Sequence, residues 1–217
     1  MDASSEIIST YTRDLYPPLT EGLGALRAQA EKERIPIISR DSEAFLLGVV
    51  KIKKPARILE IGTAVGYSAA CFAASAKGAD IVTIDTDEAM CQKAGANLKK
   101  LRLDERVKIL HGDAETVIKK SLSGWKFDLV FIDAAKSHYK SFFDASLGVC
   151  ESGAVIISDN VLLKGTVSMP EENVNRRDRT SLRKMKAYIE YIMSLENADT
   201  FIIPAGDGMA LTVLGGW

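Results

Sequence analysis

Residues 57–68 decide the fold of this chain and read RILEIGTAVGYS. The short apolar run from Ile58 to Ile61 predicts a buried strand, and Gly62 and Gly66 follow it. Glycine allows the backbone to turn sharply and to approach a ligand that a Cβ atom would exclude. A helix should begin after this turn and present its N-terminal amides. The stretch therefore predicts the strand, loop and helix of a ligand-binding α/β unit.

Similar apolar, β-branched runs recur along the chain and alternate with segments of helical periodicity. The runs that predict parallel strands are Arg57–Ile61, Ile81–Asp85, Val107–Leu110, Phe127–Asp133 and Ala154–Asp159. Two more, Thr200–Pro204 and Met209–Leu214, are joined by a link too short for a helical crossover and predict an antiparallel hairpin. The sequence thus predicts an α/β fold with a mostly parallel, seven-stranded sheet, in which ligands bind at the carboxyl ends of the strands.

The segment before the first strand is predicted to be helical. Its periodicity indicates helices at Glu6–Arg13, Leu19–Arg34 and Ser42–Lys51, the last capped by Asp41 or Ser42. We expect these helices to form a layer, residues 1–55, against a core of residues 56–217. A length of 217 residues without repeats or linkers fits a single domain.

Composition excludes several classes of protein. Lys and Arg number 28 against 29 Asp and Glu, a net charge of −1, which excludes a polycation built to coat nucleic acid. With two His and three Cys without CxxC spacing, a zinc cluster or a disulfide framework is not expected, and Cys71, Cys91 and Cys150 are predicted to be buried thiols. The apolar runs are too short to span a membrane, and the N-terminus lacks the pattern of a secretory signal, which predicts a cytoplasmic protein.

The glycine loop predicts a nucleoside cofactor without phosphates. Its spacing is GxxxG rather than the GxGxxG of dinucleotide folds, and the acidic Glu60 before it favours a ligand with a cationic end. The second strand ends in Asp85, where a carboxylate can accept hydrogen bonds from a ribose diol. The third is followed by Gly112 and Asp113, where Asp113 or a neighbouring amide could hold an adenine. S-adenosylmethionine fits this description; the alternatives are a tight turn without ligand at the glycines and a helix cap at Asp85.

Oxygen ligands for a metal ion are predicted at the ends of the fourth and fifth strands. Asp133 ends one strand and Asp159-Asn160 the other, so that two carboxylates and an amide should converge at one edge. Such ligands, with no His or Cys, suit Mg²⁺ or another hard divalent cation. Lys136 follows closely enough to face the same site and could remove a hydroxyl proton as a general base. Taken singly, these residues could instead be a helix cap, an Asx turn and a surface lysine.

These motifs resemble those of the cation-dependent O-methyltransferase family, which includes catechol and caffeoyl-coenzyme A O-methyltransferases. The resemblance covers nearly the whole chain. The matching segments are residues 57–68, Ile84-Asp85, Gly112-Asp113-Ala114, residues 131–136 with Tyr139, Ser158-Asp159-Asn160 and residues 204–208. The resemblance implies a class I S-adenosylmethionine-dependent methyltransferase fold, which is Rossmann-like, and a homodimer whose contact involves the N-terminal helices.

The resemblance also implies roles for individual residues. Gly62, Tyr67 and Ser68 would line the methionine end of the cofactor, Asp85 would bind the ribose, and Asp113 and Ala114 would bind the adenine. The residues counted with them in the cofactor site are Glu60, Thr63, Gly66, Gly112 and Asp133. The metal ligands would be Asp133, Asp159 and Asn160, and Lys136 would be catalytic together with Asp133.

Two features look similar to a bacterial branch of the family that methylates 5-hydroxyuridine at the wobble position of tRNA. One is the segment 35–38, in which Ile38, a candidate substrate contact, stands where the family pattern has Met. The other is a basic stretch over residues 176–186, whose Arg176, Arg177 and Arg179 could grip phosphates of the anticodon arm. Tyr139 is the candidate for stacking on a flipped base.

Two other hypotheses remain. The acceptor could be a small catechol-like or coenzyme A-linked phenol, and the basic stretch would then be the solvated face of a helix or a grip for coenzyme A phosphates. A protein that binds S-adenosylmethionine without catalysis and acts through partner contacts is the third hypothesis. The presence of Asp133, Lys136, Asp159 and Asn160 argues against it.

Overall fold

The computed structural model describes residues 10–11 and 15–215 and contains a seven-stranded sheet in the order β3-β2-β1-β4-β5-β7-β6. The strands are β1 (Arg57–Ile61), β2 (Asp80–Asp85), β3 (Val107–His111), β4 (Phe127–Ile132), β5 (Cys150–Ser158), β6 (Ala198–Ile203) and β7 (Met209–Leu214). Strands β1 to β5 pair in parallel, whereas β7 pairs antiparallel with both β5 and β6. The predicted fold class and C-terminal hairpin are therefore confirmed.

Helices connect and cover the strands. They are α1 (Glu21–Lys32), α2 (Arg40–Lys53), α3 (Tyr67–Ser75), α4 (Glu88–Lys100), α5 (Ala114–Ser121), α6 (Tyr139–Leu147) and α7 (Arg179–Met193). Short 3₁₀ helices lie at Lys136–His138, Leu163–Ser168 and Glu171–Asn173. The predicted helix Glu6–Arg13 falls largely outside the described residues. No helix within 10–11 and 15–215 is long and apolar enough to cross a membrane.

The two faces of the sheet form two apolar cores. On one face, Leu23, Leu46 and Phe72 from α1, α2 and α3 pack with Ile58 of β1. On the other, Ile118, Phe143 and Tyr188 from α5, α6 and α7 pack with Leu59. Successive strand residues point to opposite faces, so a strand buried on both sides must be apolar throughout. This explains the nearly continuous apolar runs of the parallel strands. The three cysteines are buried and free, as predicted.

Some predicted boundaries are wrong by a few residues. Helix α2 begins at Arg40 and is capped by Ser39, not by Asp41 or Ser42, because the Ser39 hydroxyl accepts a hydrogen bond from the Ser42 amide at 3.1 Å. Strand β5 begins at Cys150 rather than Ala154, because Cys150 pairs with Phe127 before a register shift in β4. These shifts leave the carboxyl ends of the strands, where the site lies, in place.

Candidate functional site

A cavity of about 500 Å³ lies at the carboxyl ends of the central strands. The predicted site residues that line it are Ile38, Gly62, Thr63, Tyr67, Ser68, Asp85, Gly112, Asp113, Ala114, Asp133, Lys136 and Asn160. Those that do not line it are Glu60, Gly66, Tyr139, Asp159, Arg176, Arg177 and Arg179. The parallel topology therefore brings the predicted cofactor loop and part of the predicted metal site into one space.

Asp85 fastens the glycine loop to β2. Its Oδ2 accepts hydrogen bonds from the amides of Thr63 at 3.0 Å and Ala64 at 2.8 Å. Its Oδ1 accepts from the Asp87 amide at 3.0 Å, and Asp87, not Asp85, is the cap of α4. The alternative of a helix cap at Asp85 is therefore wrong. Asp85 instead holds the loop in shape at the cavity wall.

Gly62 is required by the close approach of β1 to β4. Its φ angle is 109°, and an added Cβ atom would lie 2.1 Å from the carbonyl oxygen of Asp133. Gly66 has a different task, because it lies outside the cavity lining and faces Ala94 of α4, where a Cβ atom would approach within 3.1 Å. Gly62 thus allows β1 and β4 to approach each other at the cavity, whereas Gly66 allows the loop to pack against α4.

Gly62→Ala is expected to lower the free energy of unfolding by about 3 kcal/mol or more, since the clash involves backbone and the φ angle is unfavourable for alanine. Gly48→Ala is the matched control: Gly48 lies inside α2 with nothing within 4 Å of an added Cβ atom. That change should raise stability by about 0.5–1 kcal/mol. Urea denaturation of both variants measures the difference, and equal effects would contradict the close-approach role of Gly62.

Glu60 is a buried carboxyl group below the loop. Its Oε2 accepts a hydrogen bond from the Thr83 hydroxyl at 2.5 Å, while Oε1 has no hydrogen-bond partner among the described residues. Burial raises the pKa of Glu60 to about 8. Ser68, which lines the cavity, and Thr83 oppose this rise. Glu60 does not line the cavity, but a cofactor with a cationic amino group in the cavity, as S-adenosylmethionine has, would favour its ionised form.

Asp113 has a structural role as well as a place in the cavity wall. Its Oδ1 accepts a hydrogen bond from the Thr116 amide at 3.0 Å, which caps α5. This bond holds the pKa of Asp113 below its ordinary value. Gly112 precedes it with a φ angle of 145°, and both residues line the cavity together with Ala114. The cap fixes the first turn of α5 at the cavity wall.

Asp133 and Asp159 follow paired positions on neighbouring strands. Ile132 of β4 pairs with Ser158 of β5, and the Asp159 amide donates to the Ile132 carbonyl at 2.9 Å. Burial, and next the charge of Asp133, raise the pKa of Asp159 to about 7. Burial also raises the pKa of Asp133, and Lys136 opposes this shift. The two carboxylates therefore repel each other across one strand edge, and a divalent cation would relieve that repulsion.

Asn160 completes the set of oxygen donors. Its φ angle of 56° lies in the left-handed region that Asn tolerates, and its backbone N–H donates to Asp159 Oδ1 at 2.7 Å. Lys136 Nζ donates to Asn160 Oδ1 at 3.1 Å. Within the described ranges no cluster of three His, Cys, Asp or Glu side chains is placed to bind a metal. The third protein ligand would therefore be the side-chain oxygen Oδ1 of Asn160. Asp133, Asp159 and Asn160 fit a hard cation that keeps some waters.

Tyr139 cannot stack on a base, and that prediction is wrong. Its side chain is only 1% exposed, its hydroxyl donates to the Asp159 carbonyl at 2.9 Å, and its ring meets that of Tyr188 edge-on. The residue instead supports the backbone of the proposed metal site. The burial of Tyr139 could not be read from the local sequence, because it depends on the contact with Tyr188 of α7.

The turn between β6 and β7 anchors the loop that carries Asn160. The Val161 amide donates to the Gly208 carbonyl at 2.9 Å and the Leu162 amide to the Asp207 carbonyl at 3.0 Å. The Asp207 carboxylate also accepts from the Lys164 amide. The sequence predicts no role for Asp207 itself, although residues 204–208 belong to the segments that resemble the family. The turn fixes the distal side of the proposed metal site.

A buried charged network, absent from the sequence predictions, joins the N-terminal helices to the cavity. Arg27 is 4% exposed and donates to Tyr67 Oη at 3.0 Å, to the Ile38 carbonyl at 2.9 Å and to Glu43 Oε2 at 2.7 Å. The Tyr67 hydroxyl donates to the same Glu43 oxygen at 2.8 Å. The network thus holds one residue from the predicted cofactor site and one from the predicted acceptor site in a fixed relation.

The basic stretch is mostly engaged within the chain. Arg179 donates to the carbonyls of Val174 at 2.9 Å and Glu172 at 3.0 Å, and Arg183 forms two hydrogen bonds with the carboxylate of Glu171. Arg177 lies 3.6 Å from Asp178 and is strongly exposed. Arg179 therefore tethers a loop, which is not the phosphate grip predicted for it, whereas Arg176 and Arg177 extend from the surface.

Comparisons with known proteins find relatives over nearly the whole chain. A family model described as O-methyltransferase matches residues 15–214. The catechol O-methyltransferase of Mycobacterium tuberculosis is 32% identical over 169 residues, which cover 76% of this chain and 74% of that protein. Among solved structures, a candidate caffeoyl-CoA O-methyltransferase of Staphylococcus aureus has a TM-score of 0.90 and 30% identity, covering 96% of this chain and all (100%) of that one. An O-methyltransferase of Bacillus cereus in complex with SAH has a TM-score of 0.83 and 25% identity, covering 96% and 97%.

Proposed function

Because the chain belongs to the O-methyltransferase family, we propose that it methylates one of two adjacent oxygens on a planar ring, with a divalent cation held by Asp133, Asp159 and Asn160. The chain is an S-adenosylmethionine-dependent O-methyltransferase of the caffeoyl-CoA and catechol type. A bound cation would supply the positive charge that favours the ionised acceptor hydroxyl. The predicted homodimer stays a prediction.

The observation that carries the proposal is the contact between Lys136 Nζ and Asn160 Oδ1 at 3.1 Å. Through this contact the amine of Lys136, the proposed proton acceptor, lies beside a proposed cation ligand, at the wall of the cavity that the cofactor loop also lines. Lys136 in its neutral form would take the proton from the acceptor hydroxyl. The remaining requirement is alignment of that oxygen with the sulfonium methyl group, which positioning by the cavity would supply.

We propose 5-hydroxyuridine in the anticodon arm of tRNA as the acceptor. Its ring carries two oxygens on adjacent carbons, as a catechol does, so the same ligand set suits both. Support comes from α7, where Lys184 Nζ lies 3.3 Å from the carbonyl of Ser137, next to Lys136. This contact brings the basic end of α7 beside the cavity, and Arg176 and Arg177 lie exposed just before that helix. Cationic side chains there would favour a polyanionic acceptor.

A small catechol-like or coenzyme A-linked phenol is the second candidate acceptor. It is favoured by the named activities of the relatives and by the engagement of Arg179 and Arg183 within the chain. Methyl transfer to tRNA that lacks the wobble modification, run in parallel with a simple catechol and caffeoyl-CoA, separates the two. Preference for tRNA is the expected result, whereas labelling of the phenols alone would overturn the tRNA proposal.

The double change Arg176→Glu with Arg177→Glu is expected to lower kcat/KM for tRNA by about 10²-fold or more at low salt, because it reverses exposed charges. Turnover of catechol should stay near the wild-type value. Arg179 is left intact, because its change would release the loop that it tethers. The control is Lys99→Glu with Lys100→Glu at the end of α4, on the opposite edge of the sheet. Equal losses with both acceptors, or with both pairs, would contradict the role of Arg176 and Arg177.

A further inference from the structure

We propose that a second cavity, beside the methyl-transfer site, binds a phosphate group of the acceptor. This cavity of about 320 Å³ lies between α6 and α7. The polar residues that line it are Lys136, Ser137, Lys140, Ser141, Asp144 and Lys184. Lys136 also lines the cofactor cavity, so the two spaces meet at this side chain.

The charge of the cavity favours an anion. Lys136 is left out of the charge count, because its neutral form is the proposed base; Lys140 and Lys184 against Asp144 then give a formal charge of +1. The carboxylate of Asp144 is already occupied, since it accepts from Lys140 Nζ at 2.6 Å and from the Tyr191 hydroxyl at 2.7 Å. The Ser137 hydroxyl lies 3.0 Å from His138 Nδ1 and the Ser141 hydroxyl donates to the His138 carbonyl at 3.0 Å, so each would turn from His138 to donate to a bound phosphate. Ammonium and hydroxyl groups together are suitable partners for phosphate oxygens.

Lys140 is paired with the Asp144 carboxylate, whereas Lys184 has no carboxylate partner among the described residues. In the part of the chain that the structure describes, Lys184 Nζ donates to a neutral carbonyl, that of Ser137, at 3.3 Å. Lys140 Nζ lies 3.9 Å from the centre of the Tyr191 ring, which keeps it against α7. A phosphate oxygen would give Lys184 a charged acceptor in place of the carbonyl. The attraction between opposite charges adds to the hydrogen bond and is absent with a neutral carbonyl.

The phosphate could belong to an RNA backbone or to coenzyme A. In both cases it is a phosphate ester in the same molecule as the ring that is methylated. The inference rests on the proposed function, because the acceptor's reacting oxygen must lie in the methyl-transfer site while its phosphate lies in the second cavity. It deepens that function, because it ties acceptor choice to a group remote from the reacting oxygen. Only the phosphate itself is needed for the first test.

Inorganic phosphate, titrated against the ¹⁵N-labelled full chain, tests the cavity directly. Saturable shifts of the Ser137 and Ser141 amide signals are expected in the wild type. The affinity should fall about tenfold or more in Lys140→Gln/Lys184→Gln. The control is Lys186→Gln, also on α7, whose Nζ donates to the Met169 carbonyl at 3.1 Å outside this cavity. Absence of saturable shifts, or the same affinity in the double variant, would overturn the inference.

Steady-state methylation distinguishes the source of the phosphate. The pairs to compare are 5-hydroxyuridine with its 5′-monophosphate, and caffeic acid with caffeoyl-CoA. For one of these pairs, kcat/KM of the phosphate-bearing acceptor divided by kcat/KM of its phosphate-free partner should fall about tenfold in Lys140→Gln/Lys184→Gln. No fall in either pair would overturn the inference. Lack of turnover with both uridine compounds would contradict the proposed acceptor alone, since the phosphate titration does not depend on it.

Discussion

Asp159→Asn is expected to abolish the stimulation of methyl transfer by Mg²⁺ and to weaken cation binding by more than about 100-fold. Asp159 is 1% exposed and faces the charge of Asp133 across the strand edge, so its carboxylate supplies half of the formal negative charge there. An amide keeps the shape and the acceptor for the Asn160 amide but removes that charge. Cation titration and turnover, measured side by side, give the result.

The same variant distinguishes loss of a ligand from loss of the fold. Burial raises the pKa of Asp159 to about 7, so without a cation the folded chain loses stability as the pH rises from about 4 to about 7, and the full penalty for the ionised carboxylate is present at pH 8. Asp159→Asn should therefore be at least as stable as the wild type at pH 8 in chelator, and S-adenosylmethionine binding should persist. Full turnover in chelator, or a large fall in stability, would contradict the role given to Asp159.

Lys136→Met should lower kcat roughly 10²–10⁴-fold, with cofactor affinity largely retained. The change removes the only amine that contacts Asn160 within the described ranges, while the methionine keeps a side chain of similar length. Lys136→Arg is the informative partner. Arginine can donate to Asn160 but does not lose its proton, so it preserves positioning without basicity.

Both Lys136 variants should therefore lose activity to a similar degree, and the loss should be smallest at high pH, where the acceptor hydroxyl ionises unaided. A pH profile of kcat for the wild type and both variants measures this. Recovery of most activity by Lys136→Arg would show that Lys136 acts through charge or positioning and would contradict its role as base.

The strands and the site edge could be predicted because their signals are local. A doubly buried parallel strand must be apolar throughout, so β1 and β4 stand out in the sequence, and the residue after each strand lies at the ligand edge by topology alone. The short link before β7 likewise leaves an antiparallel hairpin as the only connection. Asp133 and Asp159 could be placed together for this reason.

What could not be predicted depends on tertiary contacts. Arg27 and Glu43 look like solvated residues of amphipathic helices, and only the packing of α1 and α2 on α3 buries them around Tyr67. Tyr139 is removed from solvent by Tyr188 of α7, which follows it by many residues. In the basic stretch, charge alone could not distinguish Arg179, which tethers a loop, from Arg176, which extends from the surface.

The central claim is cation-dependent methyl transfer at the edge formed by Asp133, Asp159, Asn160 and Lys136. The most direct test is transfer of a labelled methyl group from S-adenosylmethionine to unmodified tRNA and to catechol, with Mg²⁺ or with chelator. We predict labelling of an acceptor in Mg²⁺, its loss in chelator and its return when Mg²⁺ is restored. Equal labelling in Mg²⁺ and in chelator would contradict the claim.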